Sequence, residues 1–426
     1  MKNILLATTG LFGAALLATA ATAATPKVTL GGFSDFQAGF TSDDRDNLTQ
    51  GTVAVTDDTS TRDVGFHNDN EISVHVDGVT DGGLGYGAVI DLEADINDDT
   101  NNQGTNAART FTYLSGKWGK VELGGNKGAA ATTRVDASTL AAATGGINGA
   151  WTNFVNGTGA GVSQLGGTAG FVSQSKLYTE HGSTTDLGDE STYNATKLTY
   201  YTPRFSGFQA GVSFTPDLQD RGQSNSRTDK IAGAPGVDAY GNIFEAGLNF
   251  ENQFANGVKL ALSLTGETGD ADEGSAVAGN ADEREDLRAY AVGGLVGYQG
   301  FSLAASYGNW DDSGQTNGLN NESDYWTVGG GYEVGPFGLS ITYLKSTVEA
   351  DIGNVAAGRD YENDFRNVVL GADYKLAPGL TPYAEVSFYE FDDGRTEAEA
   401  GAVGAATGAT FDNTGTAFIL GTQVAF

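Results

Sequence analysis

Between Gly83 and Asp95 the chain alternates with a period of two. One parity carries Leu84, Tyr86, Ala88, Ile90, Leu92 and Ala94, while the other carries Gly83, Gly85, Gly87, Val89, Asp91, Glu93 and Asp95. Successive side chains of a strand point to opposite faces, so this pattern specifies a strand with one greasy and one wet face. The pattern returns at Phe244, Ala246, Leu248 and Phe250 against Glu245, Gly247, Asn249 and Glu251. It returns again at Val368, Leu370, Ala372 and Tyr374 against Asn367, Val369, Gly371 and Asp373, and in a last stretch with Phe418, Leu420, Thr422, Val424 and Phe426 on one face.

The same reading along the whole chain predicts strands near 28–40, 62–77, 83–95, 109–115, 119–126, 195–202, 207–216 and 242–252. The second half adds 257–267, 286–298, 301–311, 323–333, 337–347, 363–376, 380–391 and 414–426. The 62–77 segment has an irregular middle at Asn68 and Asn70. Tight turns such as Gly78–Gly82, Gln299-Gly300, Val334–Pro336 and Ala377–Gly379 alternate with long links, the longest being 127–194. Short turns at one end and long loops at the other are the signature of an outer-membrane β-barrel. The expected strands have the length that a tilted membrane strand needs, about 9–11 residues. Phe40, Trp118, Phe208, Phe254, Tyr298, Phe301, Tyr332, Phe337, Tyr343 and Phe426 stand near strand ends, where interfacial aromatic girdles sit. The expected fold is therefore all-β: a sixteen-stranded antiparallel transmembrane β-barrel with a polar interior.

The first residues belong to a different pattern. Lys2 precedes an apolar run from Ile4 to Leu17 and a small-residue stretch ending Ala21-Thr-Ala23-Ala24. This is the n-region, h-region and cleavage pattern of a Sec signal peptide, and the run is shorter than the roughly 20 residues of a membrane anchor. Residues 1–23 are expected to be removed, with cleavage after Ala23 or Ala24, leaving 24–426 as a single barrel domain exported to the cell outer membrane.

Composition narrows the function. The 426 residues include 23 basic and 54 acidic ones, a formal net charge of −31, with no Cys and only three His. So acidic a surface repels nucleic acid, and the missing Cys excludes a disulfide-stapled module. The 22 Phe, 17 Tyr and 4 Trp argue against the disorder that such a charge would otherwise suggest. Of the 54 carboxylates, 33 fall in the eight long links together with 10 basic residues, which places −23 of the charge at the mouth. A mouth of this sign concentrates cations. No enzyme is expected: His67, His75 and His181 lack a recurring partner spacing, and the Gly-rich runs Gly82–Gly87 and Gly293–Gly297 fall inside alternating strands, not at a strand-to-helix junction.

Several stretches resemble the Gram-negative trimeric general porin family, alphaproteobacterial type. They are Val28-Thr-Leu-Gly-Gly-Phe-Ser-Asp35, the paired segment from Phe111 to Asn126 around a very short turn, Leu198 to Phe208, and the closing strand from Gly415 to Phe426. The resemblance spans the mature chain. It implies a homotrimer, passive diffusion of small hydrophilic solutes and an inward-folded constriction loop, here about 127–194. It also implies that the C-terminal Phe426 is the assembly signal read by the barrel-assembly machinery. Outer-membrane lipid and lipopolysaccharide are the implied surroundings.

Mid-strand parity points Asp35, His67, Asp69, Glu71, Asp91, Glu93 and Lys197 inward as pore-lining candidates. Arg109 is a further candidate, offset by one residue from the family's pattern. The first-strand position that often carries Arg in relatives is Phe33 here, and Gly124-Gly125 and Tyr193 stand where other basic residues would be expected. Constriction-loop candidates are Arg134, Asp136 and Trp151, with Asp136 weighed both as an eyelet carboxylate and as a loop-surface residue. No cofactor is expected. Gly269-Asp-Ala-Asp-Glu-Gly274 lacks the third ligand and the closing Glu of an EF-hand loop, so structural calcium in the acidic loops stays open beside solvated negative loops. The expected function is a weakly cation-selective diffusion pore. A substrate-specific channel, a non-conducting adhesive or structural barrel, and an exported soluble β-protein stay open at this level.

Overall fold

The computed structural model describes residues 25–43, 49–50, 53–54, 63–95, 107–155, 195–218, 222, 240–271, 285–313, 322–351, 360–392, 394 and 413–426. The expected signal segment, most of the long links and residues 156–194 lie outside them. The first strand is β1 (Lys27–Asp43), followed by a small ribbon of β2 (Thr49–Gln50) and β3 (Val53–Ala54). Next come β4 (Val64–Val79), β5 (Gly85–Glu93), β6 (Ala107–Gly116), β7 (Gly119–Gly125), β8 (Thr196–Tyr201), β9 (Phe208–Asp217) and β10 (Tyr240–Gln253). The chain continues through β11 (Lys259–Ala271), β12 (Leu287–Tyr298), β13 (Phe301–Asn309), β14 (Ser323–Val334), β15 (Phe337–Asp351), β16 (Asp360–Tyr374), β17 (Leu380–Asp392) and β18 (Asn413–Ala425). β1 and β4–β18 form one closed sixteen-stranded barrel in which every neighbouring pair is antiparallel. Each strand coincides with one expected from alternation. β1 and β15 run several residues beyond the expected ends, because antiparallel pairing continues above the apolar band.

Closure joins the two ends of the chain. Phe33 faces Ala425 across the β1–β18 seam, and Gly32 and Phe426 exchange both backbone hydrogen bonds at 3.1 Å. A barrel has no free edge, so every ladder donor and acceptor is satisfied within the wall.

The two faces differ as the alternation requires. Outward positions hold exposed apolar side chains, such as Leu264 on β11, Leu303 on β13 and Leu339 on β15. Aromatic pairs mark both ends of this band. Phe208–Phe250, Phe301–Tyr332 and Phe337–Tyr374 sit by the short turns, while Phe214–Phe244, Tyr290–Tyr307 and Trp326–Tyr343 sit toward the long links. Above the second girdle an outward ionic row begins. Lys345 pairs with Asp364 at 3.1 Å, and Arg366 reaches Asp364 (2.9 Å), Asp392 (3.0 Å) and Glu390 (3.2 Å). The irregular middle of β4 is also resolved: Asn68 and Asn70 point outward, between Phe66 and Ile72.

The buried core lies inside the barrel. After β7 the chain turns inward as α1 (Ala129–Thr133), two short 3₁₀ turns (Ala137–Leu140 and Gly146–Asn148) and α2 (Thr152–Val155). Its packing runs from β8–β11 through β13–β16 to β1. Inward glycines make the groove that receives it. A Cβ on Gly247 would lie 1.9 Å from Thr133 Oγ1, one on Gly293 1.8 Å from Val135 O, and one on Gly39 2.1 Å from the Phe154 ring. The high Gly count is thus partly a seat for this segment.

Replacing Gly247 by Val is expected to cost about 1–3 kcal/mol through overpacking. Gly330→Ala, whose nearest neighbour would be Leu303 at 3.6 Å, should be close to neutral. Thermal unfolding of the two variants in detergent checks the contrast, and equal midpoints would contradict the seat.

Candidate functional site

The irregular segment inside the barrel survives because the wall supplies its hydrogen bonds. Non-helical backbone at membrane depth is tolerated only where protein or a wet cavity satisfies it. Ser213 Oγ accepts from Ala129 N (2.7 Å), Ser263 Oγ from Val135 N (2.9 Å) and Ser340 Oγ from Ala142 N (2.8 Å). Asn249 donates to Thr133 O at 3.0 Å, and Asn153 donates to Gln37 Oε1 at 3.1 Å. The strongest latch is Glu385 on β17, which accepts from Trp151 N (2.8 Å) and from Thr144 Oγ1 (2.9 Å). These bonds reach inward from strands far along the chain, and none of the wall residues was singled out from the sequence for this part. Their one sequence signal is inward parity.

The sector of wall formed by β4, β5 and β6 carries a different chemistry. Register places Asp35 opposite Asp69, Glu71 opposite Glu93, Ser73 opposite Asp91, and Asp91 opposite Arg109. Ser73 Oγ lies 2.7 Å from Asp91 Oδ1 and 3.2 Å from Glu71 Oε1. Tyr113 donates to Asp77 lower on the same wall. Asp95 accepts from Asn70 N (2.8 Å) and Asn70 Nδ2 (2.9 Å). Oxygens of Asp69, Glu93 and Asp95 lie within 4.8 Å of one another, the one group of three such ligands among the described residues.

Each expected site residue now has a place. His67, Asp69, Glu71 and Glu93 are half-buried on inward positions. Asp91 is fully buried and forms an ion pair with Arg109. Arg109 shares the inward parity of Phe111, in unbroken register with it, and a bulge follows just beyond, where Ala108 is the extra residue of β6 between Arg109 and Ala107. Asp35 is buried, accepting from Tyr383 OH (2.8 Å) and Gln37 Nε2 (3.0 Å). Lys197 points inward as its parity requires, but it is buried under the inner segment and donates to Asn126 O and Ala195 O.

The loop residues serve the loop itself. Asp136 is buried, caps the first 3₁₀ turn through Ser138 N (2.9 Å) and pairs with Arg134 at 2.8 Å. It is therefore neither a central carboxylate in an open lumen nor a loop-surface group. Trp151 is fully buried, donating from Nε1 to Gly146 O (2.9 Å) and stacking on Phe365 at 5.9 Å. The ring of Phe426 is exposed at the outward end of the seam. Of the acidic hexapeptide, Asp270 is described and accepts from Asn242 at 2.8 Å, while 272–274 lie outside the described residues.

The arrangement is a corridor of fixed carboxylates against an inner segment whose described charges are Lys127, Arg134 and Asp136.

Comparison with known proteins agrees with this geometry. The sequence model of the Gram-negative porin family matches residues 7–394. An uncharacterized protein of Rickettsia conorii is 28% identical over 323 residues, covering 67% of this chain and 70% of that one. Another from Rickettsia felis is 30% identical over 316 residues, 65% and 68% of the two chains. Among solved structures, the anion-selective porin from Comamonas acidovorans superposes with a TM-score of 0.59 at 18% identity, covering 94% of this chain and all of that one. A mutant porin of Rh. blastica gives 0.51 at 15% identity, again covering 94% of this chain and 100% of that one. Strands, closure and family match converge: the chain belongs to the Gram-negative porin family, as an outer-membrane barrel.

Proposed function

We propose that this barrel is a water-filled pore for passive diffusion of ions and small hydrophilic solutes, weakly selective for cations. The observation that supports the reading is the acidic corridor of Asp69, Glu71, Asp77 and Glu93 on β4 and β5. The basic wall residues beside it are paired, Arg109 with Asp91 and Lys120 with Glu122. Low-dielectric walls focus the field of such charges into the lumen and raise the local cation concentration. The acidic links counted in the sequence act in the same direction at the mouth. The inner segment narrows the pore from one side, with Glu385 holding its far end. The chemistry is that of a channel rather than an enzyme.

The similarity to an anion-selective porin is a likeness of fold at 18% identity. Selectivity follows the charges on this chain's own wall, and those are acidic. Export through a Sec signal over residues 1–23 and folding through a C-terminal strand ending in Phe426 belong to the same proposal. So does a homotrimer, whose contact we place on the outward face of β1 and β4. There Ser34, Asn68 and Asn70 interrupt an otherwise apolar band, between Phe66 and Ile72. Polar side chains facing hydrocarbon are costly, and small or amide side chains favour contact between membrane proteins. Outer-membrane lipid and lipopolysaccharide cover the remaining outward face.

In planar bilayers with a KCl gradient, the reversal potential should show cation preference, and it should weaken at high salt as the field is screened. Replacing Glu71 and Glu93 by Lys is expected to reverse its sign, and an anion preference in the unmodified protein would overturn the reading. Glu385→Ala should raise single-channel conductance and open-channel noise by releasing Trp151, and an unchanged trace would show that the segment is held elsewhere. Asn68→Leu with Ser34→Leu should shift semi-native electrophoresis from trimer to monomer while each barrel still conducts. Persistence of the trimer would move the contact to another face.

A further inference from the structure

Glu245 on β10 and Glu267 on β11 face each other directly across the ladder. Both point inward, and both are buried, at 2% and 5% exposure. None of their four carboxylate oxygens has a hydrogen-bond partner. Ser213 Oγ and the Ala130 N–H lie beside Glu245, but neither forms a hydrogen bond of standard geometry with it. Thr215, one inward position further along β9, is fully buried, and its Oγ1 also has no partner. Gly128 roofs the group so closely that a Cβ there would lie 1.6 Å from Glu245 Oε2.

Lys197 is the nearby basic side chain, and it interacts electrostatically with both glutamates. Its ammonium is nevertheless engaged with the carbonyl oxygens of Asn126 and Ala195, where the inner segment leaves the wall and returns to it. One ammonium against two buried carboxylates leaves one negative charge uncompensated. Burying such a charge without donors is strongly unfavourable, and a coordinated cation is one of the few arrangements that tolerates it. The donor atoms are all oxygens, those of two carboxylates, which is the chemistry of a hard cation. Calcium accepts irregular oxygen shells with carboxylates bound through one or both oxygens, whereas magnesium demands a near-ideal octahedron.

We propose that Glu245 and Glu267 hold a calcium ion beneath Gly128, fastening the root of the inner segment to β10 and β11. The site is distinct from the acidic links at the mouth and from the corridor on β4 and β5. Because it is roofed by the inner segment, the ion enters while the segment docks and exchanges slowly afterwards. Ions held by exposed carboxylates, in contrast, wash out freely with a chelator.

The full chain is refolded in detergent with calcium chloride, magnesium chloride or EDTA, then washed briefly with EDTA and desalted, and metal content is measured. About one calcium per chain should be retained after refolding in calcium, and none in Glu267→Gln. Thermal unfolding should be higher after refolding in calcium than in EDTA, and Glu267→Gln should lose that difference. Heat-modifiable migration on gels confirms that the variant forms a barrel. If it does not, Glu245→Gln takes its place. Equal calcium retention in the variant and the parent, or none in the parent, overturns the proposal. So does the outcome in which the pair shares a proton, with no retained metal and stability set by pH alone.

Discussion

The constraint on which this molecule depends is that a polypeptide crossing a bilayer cannot leave backbone N–H and C=O groups unpaired. A closed antiparallel barrel satisfies it by exchanging every ladder bond between neighbours. That is why Gly32 and Phe426, at opposite ends of the chain, must meet. Closure then imposes the alternation, because each strand has one face to the lipid and one to the lumen. The aromatic pairs and the ionic row around Arg366 mark where that lipid face begins and ends.

The same constraint governs the interior. A coil within the barrel has no ladder of its own, so its backbone groups are satisfied by serine hydroxyls, an asparagine amide and the Glu385 carboxylate from the surrounding wall. Close approach is as necessary as hydrogen bonding, and the inward glycines permit it. One wall sector is thus given to holding the segment and another, around Glu71 and Glu93, to the lumen. Support of the inner segment and lining of the lumen are divided between parts of a single sheet.

Several residues that alternation alone points into the lumen prove to have structural partners. Arg109 is bound to Asp91 beside a bulge, and Lys197 ties together the two roots of the inner segment. Asp35 is held by Tyr383, nearly the full length of the chain away. Parity tells which face a side chain occupies, but it carries no information about what lies against that face. Asn68 and Asn70 illustrate the converse, since they interrupt the apolar parity of β4 while keeping its outward direction.

The sequence by itself determined the sixteen strands, their faces, the girdles and the acidic balance, because these depend on neighbours two residues apart and on composition. It also carried, through a few motifs, the family that the match over residues 7–394 establishes. Only the tertiary structure decided which inward residues touch the inner segment and which remain on the lumen wall. Trp151 and Glu385 are 234 positions apart, and Val135 and Ser263 are 128 apart. No local periodicity encodes such contacts; they exist because a closed sheet brings distant strands around one interior.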